Sequence, residues 1–480
     1  MKSTFTSITP QKSAPEECTA AVKQLFPTDE VTNAFLPTDD QINPAFARLE
    51  EERLWPFTWQ IACRLEEITS VGDFVTYDIV DDSIIVVRTS ASEIKAYHNV
   101  CPHRGRQLTE GCGRAKMFKC RFHGWEFGLN GENTLVIDKT DFGPGLKDEN
   151  IRLKSVRVDT WAGFVFINMD ADCEPLADFV APLDDFCGKF EFEKLRYRYY
   201  KTGIMPCNWK TAQGFFNEFY HVQQSHRQLL DFVEDYSNAG GYGRHGAMWY
   251  VSEGALPYKR SSRLSPKPEP DIRDHIIGVT TEFHNELGAM ASGRAYRALD
   301  RLRALPLDMP PGKVLEEWGK ILVEEAVKDG AGWPMQLTPE YIEASHLDWQ
   351  IFPNSIYLHG AVDSVIWYRF RPNGHDQDTC IMDVWSLERY GADKVPPLKR
   401  EFYADWRDPA AKWGRILEQD FANMLAVQKG MKSRAFTGSL LNPIQETAMA
   451  NLYRSIRQFM NEGPRAGTFK RPEPKSRATG

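Results

Sequence analysis

A chain of 480 residues, 42% apolar and 26% charged, is long enough for two or three domains and too rich in core-forming residues to stay disordered. Its net charge of −8 gives no field that would draw it to nucleic acid or to an anionic membrane surface, so neither is expected as a partner. The opening MKSTFTSITPQKSAPEE has no apolar signal core, no run approaches the ~18 apolar residues of a membrane span, and nine cysteines suit reduced thiols better than disulfides, so a cytoplasmic chain is expected.

In chain order, residues 1–48 read as an arm leading into the helix NPAFARLEEERLW, which should pack on the larger domain. Residues 49–170 read as a strand-rich module: GDFVTYDIVDDSIIVVRTSASEIKAYHNV clusters β-branched residues between turn signals, and WAGFVFINM follows. Residues 171–460 read as a second domain and 461–480, EGPRAGTFKRPEPKSRATG in outline, as a loose Pro/Gly/basic tail. Within the second domain, residues 255–340 form a proline-punctuated, charged, partly helical segment, read either as a lid over a cavity or as ordinary surface helices. Residues 344–391 alternate as strands joined by an Asn-Gly turn. An α+β fold follows, with helices layered on antiparallel sheet.

Inside the strand-rich module, Cys101-Pro-His103 is followed by Cys120-Arg-Phe-His123, so each of two loops offers one thiolate and one imidazole. Four such ligands can close a tetrahedral zinc site, but zinc fingers usually pair like with like in each knuckle. A Rieske [2Fe–2S] cluster needs two cysteines on one iron and two histidines on the other, which two facing mixed loops supply. Gly105, Gly111, Gly113 and Gly124 allow tight turns around inorganic sulfide, and Pro102 stiffens the first loop. Cys112 and His98 stand outside the pattern and are read as packing residues.

In NWKTAQGFFNEFYHVQQSHRQLLDF, Glu218 and His221 lie on nearly one helical face, whereas His226 lies about 140° from His221 on a straight helix. The two histidines can meet one metal only if the helix ends or distorts at Gln223-Gln224-Ser225; otherwise they are surface residues. A mononuclear Fe(II) oxygenase centre takes two histidines and one carboxylate. In DPAAKWGRILEQDFANMLAVQKGMK, Trp413, Ile416, Leu417, Met424 and Val427 make an apolar stripe with Asp420 near its centre, where an unpaired carboxylate is costly. Iron or an arginine partner would account for it. Glu418 falls on the solvated face. Histidines 245, 275, 284, 346, 359 and 375 lack partners at metal spacing, and aromatics such as Phe215, Phe216, Phe219, Trp349, Phe352 and Trp367 can line a pocket or fill a core.

HNVCPHRG and CRFHGWEF, with the N-W-K…E-x-x-H-x-x-x-x-H run and the later Gln419-Asp420 and Gln428-Lys429-Gly430, resemble the large (α) subunit of Rieske non-haem iron ring-hydroxylating oxygenases, in both domains and in order. The resemblance implies a helix-grip (START-like) catalytic domain, a [2Fe–2S] cluster on Cys101, His103, Cys120 and His123, and Fe(II) on His221, His226 and Asp420. Glu218 stands where the family usually has an aspartate that carries electrons between subunits, which implies a homotrimer, with or without a small β subunit. The family's Glu-Asn-Phe is here Gln213-Gly214-Phe215, which leaves the asparagine of that run unmatched.

By the same resemblance O2 is the co-substrate and electrons come from NADH through a reductase, with or without a ferredoxin; no nucleotide-binding glycine fingerprint appears, so the reductase is expected to be a separate protein. The expected reaction is hydroxylation of a hydrophobic aromatic or polycyclic substrate. O- or N-demethylation and quaternary-amine oxygenation are the alternatives, and an electron-transfer protein without a second metal is the alternative of another class.

Overall fold

The structure is a computed structural model that describes residues 35–250, 258–265, 267–346 and 348–464. The start of the expected arm and most of the expected tail lie outside the described residues.

A seven-stranded antiparallel sheet runs in the spatial order Gln60–Arg64, Phe164–Asn168, Ser155–Trp161, Ile94–His98, Asp82–Arg88, Asp73–Ile79 and Cys112–Arg114. Its strand Asp82–Arg88 explains the uninterrupted apolar run Ile84–Val87. Ile84 and Val86 join the large core of the chain, while Ile85 and Val87, on the opposite face, join a second core that holds Cys101, Cys120 and Trp125. Because successive side chains alternate across a strand, a strand buried on both faces must be apolar throughout. A three-stranded sheet, Met117–Lys119, Glu126–Gly128 and Asn133–Leu135, completes this module.

Cys112, expected to pack, is exposed instead. It sits on the outermost strand of the sheet, all three of whose residues are exposed.

The second sheet has eight strands, in the order Ser237–Tyr242, His245–Tyr250, Asp348–Ile351, Ser355–Ala361, Ser364–Asn373, Asp376–Glu388, Arg196–Met205 and Arg400–Tyr403. The two longest neighbours are joined through Asn373-Gly374, with Gly374 at φ +56° as a tight hairpin requires. Phe164 of the first sheet packs 4.3 Å from Trp367 of the second, and Arg369 donates to the carbonyls of Ile61 (2.7 Å) and Ala62 (2.8 Å) while pairing with Asp383.

Helices cover this sheet. Arg415–Met431 buries Ile416, Leu417, Asp420, Phe421, Met424 and Gln428. Trp413 lies just ahead of the helix rather than on it, and Val427, expected on the buried stripe, is 36% exposed. The stripe is centred on Leu417, Met424 and Gln428, which leaves position 427 on its rim. Gly414 at φ +86° lets the helix start against the Glu286 carbonyl, with which any Cβ at this position would collide. The segment expected as lid or surface helices forms Ile272–Glu282, Gly293–Arg303 and Pro311–Lys328, with its own small core around Leu299, Leu302 and Trp318. No helix among the described residues is long and apolar enough to cross a membrane.

The helix Pro44–Arg53 is tied to the larger domain by a buried ion pair, Glu50 Oε1 to Lys210 Nζ at 2.7 Å, with the Trp209 indole also donating to Glu50. Burial pushes the Glu50 carboxyl up and the Lys210 ammonium down, so each group depends on the other. Lys210→Met should cost about 3–5 kcal/mol in chemical denaturation because Glu50 is left buried and unpaired, while Lys210→Met combined with Glu50→Leu should recover most of that loss.

Candidate functional site

The two Cys/His loops are built alike. In the first, the Cys101 N–H donates to the Arg106 carbonyl (2.8 Å) and the Gly105 N–H to the Cys101 carbonyl (2.9 Å); in the second, Cys120 donates to Trp125 (2.8 Å) and Gly124 to Cys120 (2.9 Å). Gly105 (φ +76°) and Gly124 (φ +72°) supply the left-handed backbone that closes each loop. The Cys101 sulfur accepts from the N–H groups of His103 and Arg104, and the Cys120 sulfur from those of Phe122 and His123. Donors so placed favour thiolate.

Both cysteines are buried and neighbour each other, and the His103 and His123 rings lie 4.5 Å apart, with His103 stacked on Trp125 at 4.9 Å. Thiols thus face thiols and imidazoles face imidazoles, and His103 Nδ1 is buried with no hydrogen-bond partner. That donor set fits a two-iron cluster with two thiolates on one side and two imidazoles on the other.

The second site lies where the helix Trp209–Gly214 gives out. Asn208 caps its start by accepting from Lys210 N–H at 3.0 Å, and beyond Gly214 the chain turns before a single helical turn, Val222–Ser225. His221 precedes that turn and His226 follows it at φ −115°, ψ 46°. Gln223-Gln224-Ser225, where a break was expected, are themselves helical; the chain leaves the helix after Gly214 and again at His226, and the imidazoles converge, with their Nε2 atoms 3.2 Å apart. Asp420 Oδ1 lies 3.0 Å from His226 Nε2 and 3.4 Å from His221 Nε2.

The outer nitrogens decide what those three atoms are. His221 Nδ1 donates to Glu218 Oε1 at 2.6 Å, and His226 Nδ1 donates to Gln419 Oε1 at 2.8 Å. With the ring protons on Nδ1, both Nε2 atoms carry lone pairs. Asp420 Oδ1 is buried and makes no hydrogen bond. Three acceptors therefore face one another, a costly arrangement that a cation resolves. Among the described residues this is the one group of three or more His, Cys, Asp or Glu side chains close enough to hold a metal ion. Burial would lower the His221 ring, but Glu218 and then Asp420 outweigh it and raise it to about 9, so the three-acceptor form is the deprotonated one that a cation selects, with release of the Nε2 proton.

Glu218 is fixed by a second bond, accepting the His221 N–H at 3.0 Å. Gln419, part of the sequence motif but given no role from it, turns out to orient His226, and its Oε1 is held in turn by Gln228 Nε2 at 2.9 Å. Gln428 anchors the helix to the start of the 209–214 helix by accepting the Asn208 N–H at 3.1 Å. Phe215, Phe216 and Phe219 line a cavity of about 70 Å³ over the three acceptors, whereas Trp349, Phe352 and Trp367 lie in the core. Asp348, which the sequence did not flag, lines the same cavity.

The family model described as Ring hydroxylating alpha subunit (catalytic domain) matches residues 192–462. The chain belongs to that family. A Rieske [2Fe-2S] domain model matches residues 58–140, so this ring-hydroxylating alpha-subunit chain has the family's two iron cofactors, a Rieske cluster and a mononuclear iron. The carnitine monooxygenase oxygenase subunit of Acinetobacter baumannii is 31% identical over 240 residues, 49% of this chain and 61% of that one, so the match spans about three-fifths of the relative's length. Biphenyl 2,3-dioxygenase subunit alpha of Rhodococcus jostii is 25% identical over 395 residues, 80% of this chain and 76% of that one. A solved quaternary ammonium Rieske monooxygenase superimposes with a TM-score of 0.59 at 17% identity, covering 89% of this chain and 95% of its own, which is a likeness of fold.

Because Gln419 fixes the tautomer and angle of His226, Gln419→Leu should weaken Fe(II) binding about 10- to 100-fold in an equilibrium metal titration while leaving the visible spectrum of the cluster unchanged.

Proposed function

We propose that this chain is the terminal oxygenase subunit of a Rieske system. Cys101 and Cys120 would hold one iron of the cluster, His103 and His123 the other, and His221, His226 and Asp420 the Fe(II). When bound, the cluster supplies electrons singly and the Fe(II) supplies the centre at which O2 is activated. The single observation that carries this reading is the set of three convergent acceptors opening on an apolar cavity.

The chain's own residues do the rest. Glu218 and Gln419 hold the Nδ1 protons and so aim both Nε2 atoms inward. Phe216, Phe219, Leu229 and Ile416 exclude water and leave room for a substrate group beside the triad. In a mono-oxygenation one oxygen atom enters a C–H bond of the substrate and the other leaves as water, with two electrons and two protons consumed. Those electrons come from NADH through a separate reductase, with or without a ferredoxin.

The two sites stand on separate hydrophobic cores, and no hydrogen bond or ion pair among the described residues joins the cluster loops to Glu218. That separation supports delivery of electrons to Glu218 from the cluster of a neighbouring copy, in a trimer with or without a small subunit. Of the substrate readings, amine oxygenation gains support from Glu218 in place of the family's aspartate and from the relative named for carnitine; ring hydroxylation is supported by the longer match to the biphenyl dioxygenase subunit.

Asp420→Ala should lower iron from three to two per chain, keep the visible absorption of the cluster and abolish product formation in reductase-coupled oxygen uptake over a panel of aromatics and methylated amines. Unchanged iron content would remove Asp420 from the site, and two irons in the unaltered protein would make it an electron carrier.

A further inference from the structure

Besides Glu218 and Asp420, the cavity over the triad holds a third carboxyl, Asp348, that pairs with no lysine, arginine or histidine side chain. Asp348 is 4% exposed; its Oδ1 accepts the His359 N–H at 2.6 Å, and its other oxygen has no hydrogen bond from the described residues. Burial pushes this carboxyl up to about 8, so it is mostly protonated while no cation faces it and ionises when one is held against it. The same cavity presents the ring of Tyr250, which stacks on Phe219 at 4.9 Å and 7°. A carboxylate beside stacked aromatic faces is a receptor for an ammonium group.

At about 70 Å³ the inner cavity can take at most a substrate's head group. Next to it lies a second cavity of about 310 Å³, roofed by the helices Ile272–Glu282, Gly293–Arg303 and Pro311–Lys328. Phe283 and Met290 line both and form the partition between them. Trp318, Leu322, Trp333 and Val279 make the outer wall apolar, and burial holds its one imidazole, His359, down near 3 and therefore uncharged. No lysine or arginine lines either cavity among the described residues, so a substrate carboxylate would meet no cation.

We propose that Asp348 is the substrate-recognition residue of this site, binding the nitrogen of a cationic amine against Tyr250 and Phe219, and that the amine carries an apolar aryl or alkyl body lying past Phe283 and Met290 in the outer cavity. The inference rests on the oxygenase reading for the reaction but not for the binding. It excludes short zwitterionic amines as good ligands and places the oxidisable carbon next to the nitrogen, within the inner cavity.

The test is calorimetric binding to the iron-loaded protein of four probes: 4-phenylbutyltrimethylammonium, its uncharged tert-butyl isostere, 4-(trimethylammonio)butanoate and tetramethylammonium. The phenylbutyl cation should bind at least about tenfold more tightly than the isostere or the zwitterion. Asp348→Asn keeps an acceptor for the His359 N–H; it should lose about tenfold or more for both trimethylammonium probes without altering isostere binding or the thermal midpoint. Met290→Trp should weaken the phenylbutyl cation and spare tetramethylammonium. Equal affinity for cation and isostere, or an Asp348→Asn protein that binds the cation as before, overturns the proposal. Asp348-dependent binding without oxidised product in the reductase-coupled assay would overturn the oxygenase reading and leave this one standing.

Discussion

Three lone-pair-bearing atoms held within 3.0–3.4 Å of one another govern the catalytic domain. Two imidazole nitrogens and a carboxylate oxygen repel at that range in a buried setting, and the protein spends considerable structure on keeping them there. Glu218 and Gln419 fix the tautomers, Gln228 fixes Gln419, and Gln428 ties the helix that bears Asp420 to the helix that precedes the histidines. Each of these contacts is oriented toward making a cation the missing partner.

The cluster loops solve a different problem with the same economy of means. There the donors must surround a larger inorganic core, so the backbone curls around each cysteine and turns its N–H groups toward sulfur. The strand Asp82–Arg88 contributes to both solutions, since its alternate residues feed the core behind the cluster and the core behind the catalytic sheet. Arg369, donating across to Ile61 and Ala62, adds a polar tie between the two sheets.

Much of the site was legible because it is written in short-range spacing or in conflicts with burial. Mixed Cys/His loops needed only their order, and Asp420 stood out as a charge in an apolar stripe. The convergence of His221 and His226 was conditional on a helix break, which the sequence allowed and the backbone makes at His226. Errors came where packing geometry rather than pattern decides. Val427 carries an apolar side chain on the rim of its helix, Cys112 ended on an edge strand, and of six candidate pocket aromatics three belong to the core.

From the sequence alone came the ligand types, their grouping into two sites, the α+β class and the family resemblance, because those depend on residue identity and on periods of two and 3.6 along the chain. Tertiary structure alone decided which acceptor fixes each imidazole, since Gln419 and His226 are brought together from different elements. It also decided that Asp348 faces the cavity and that the helical insertion leaves an apolar chamber behind Phe283 and Met290. A side chain's neighbours across a fold are set by how layers pack, and no local pattern encodes that distance.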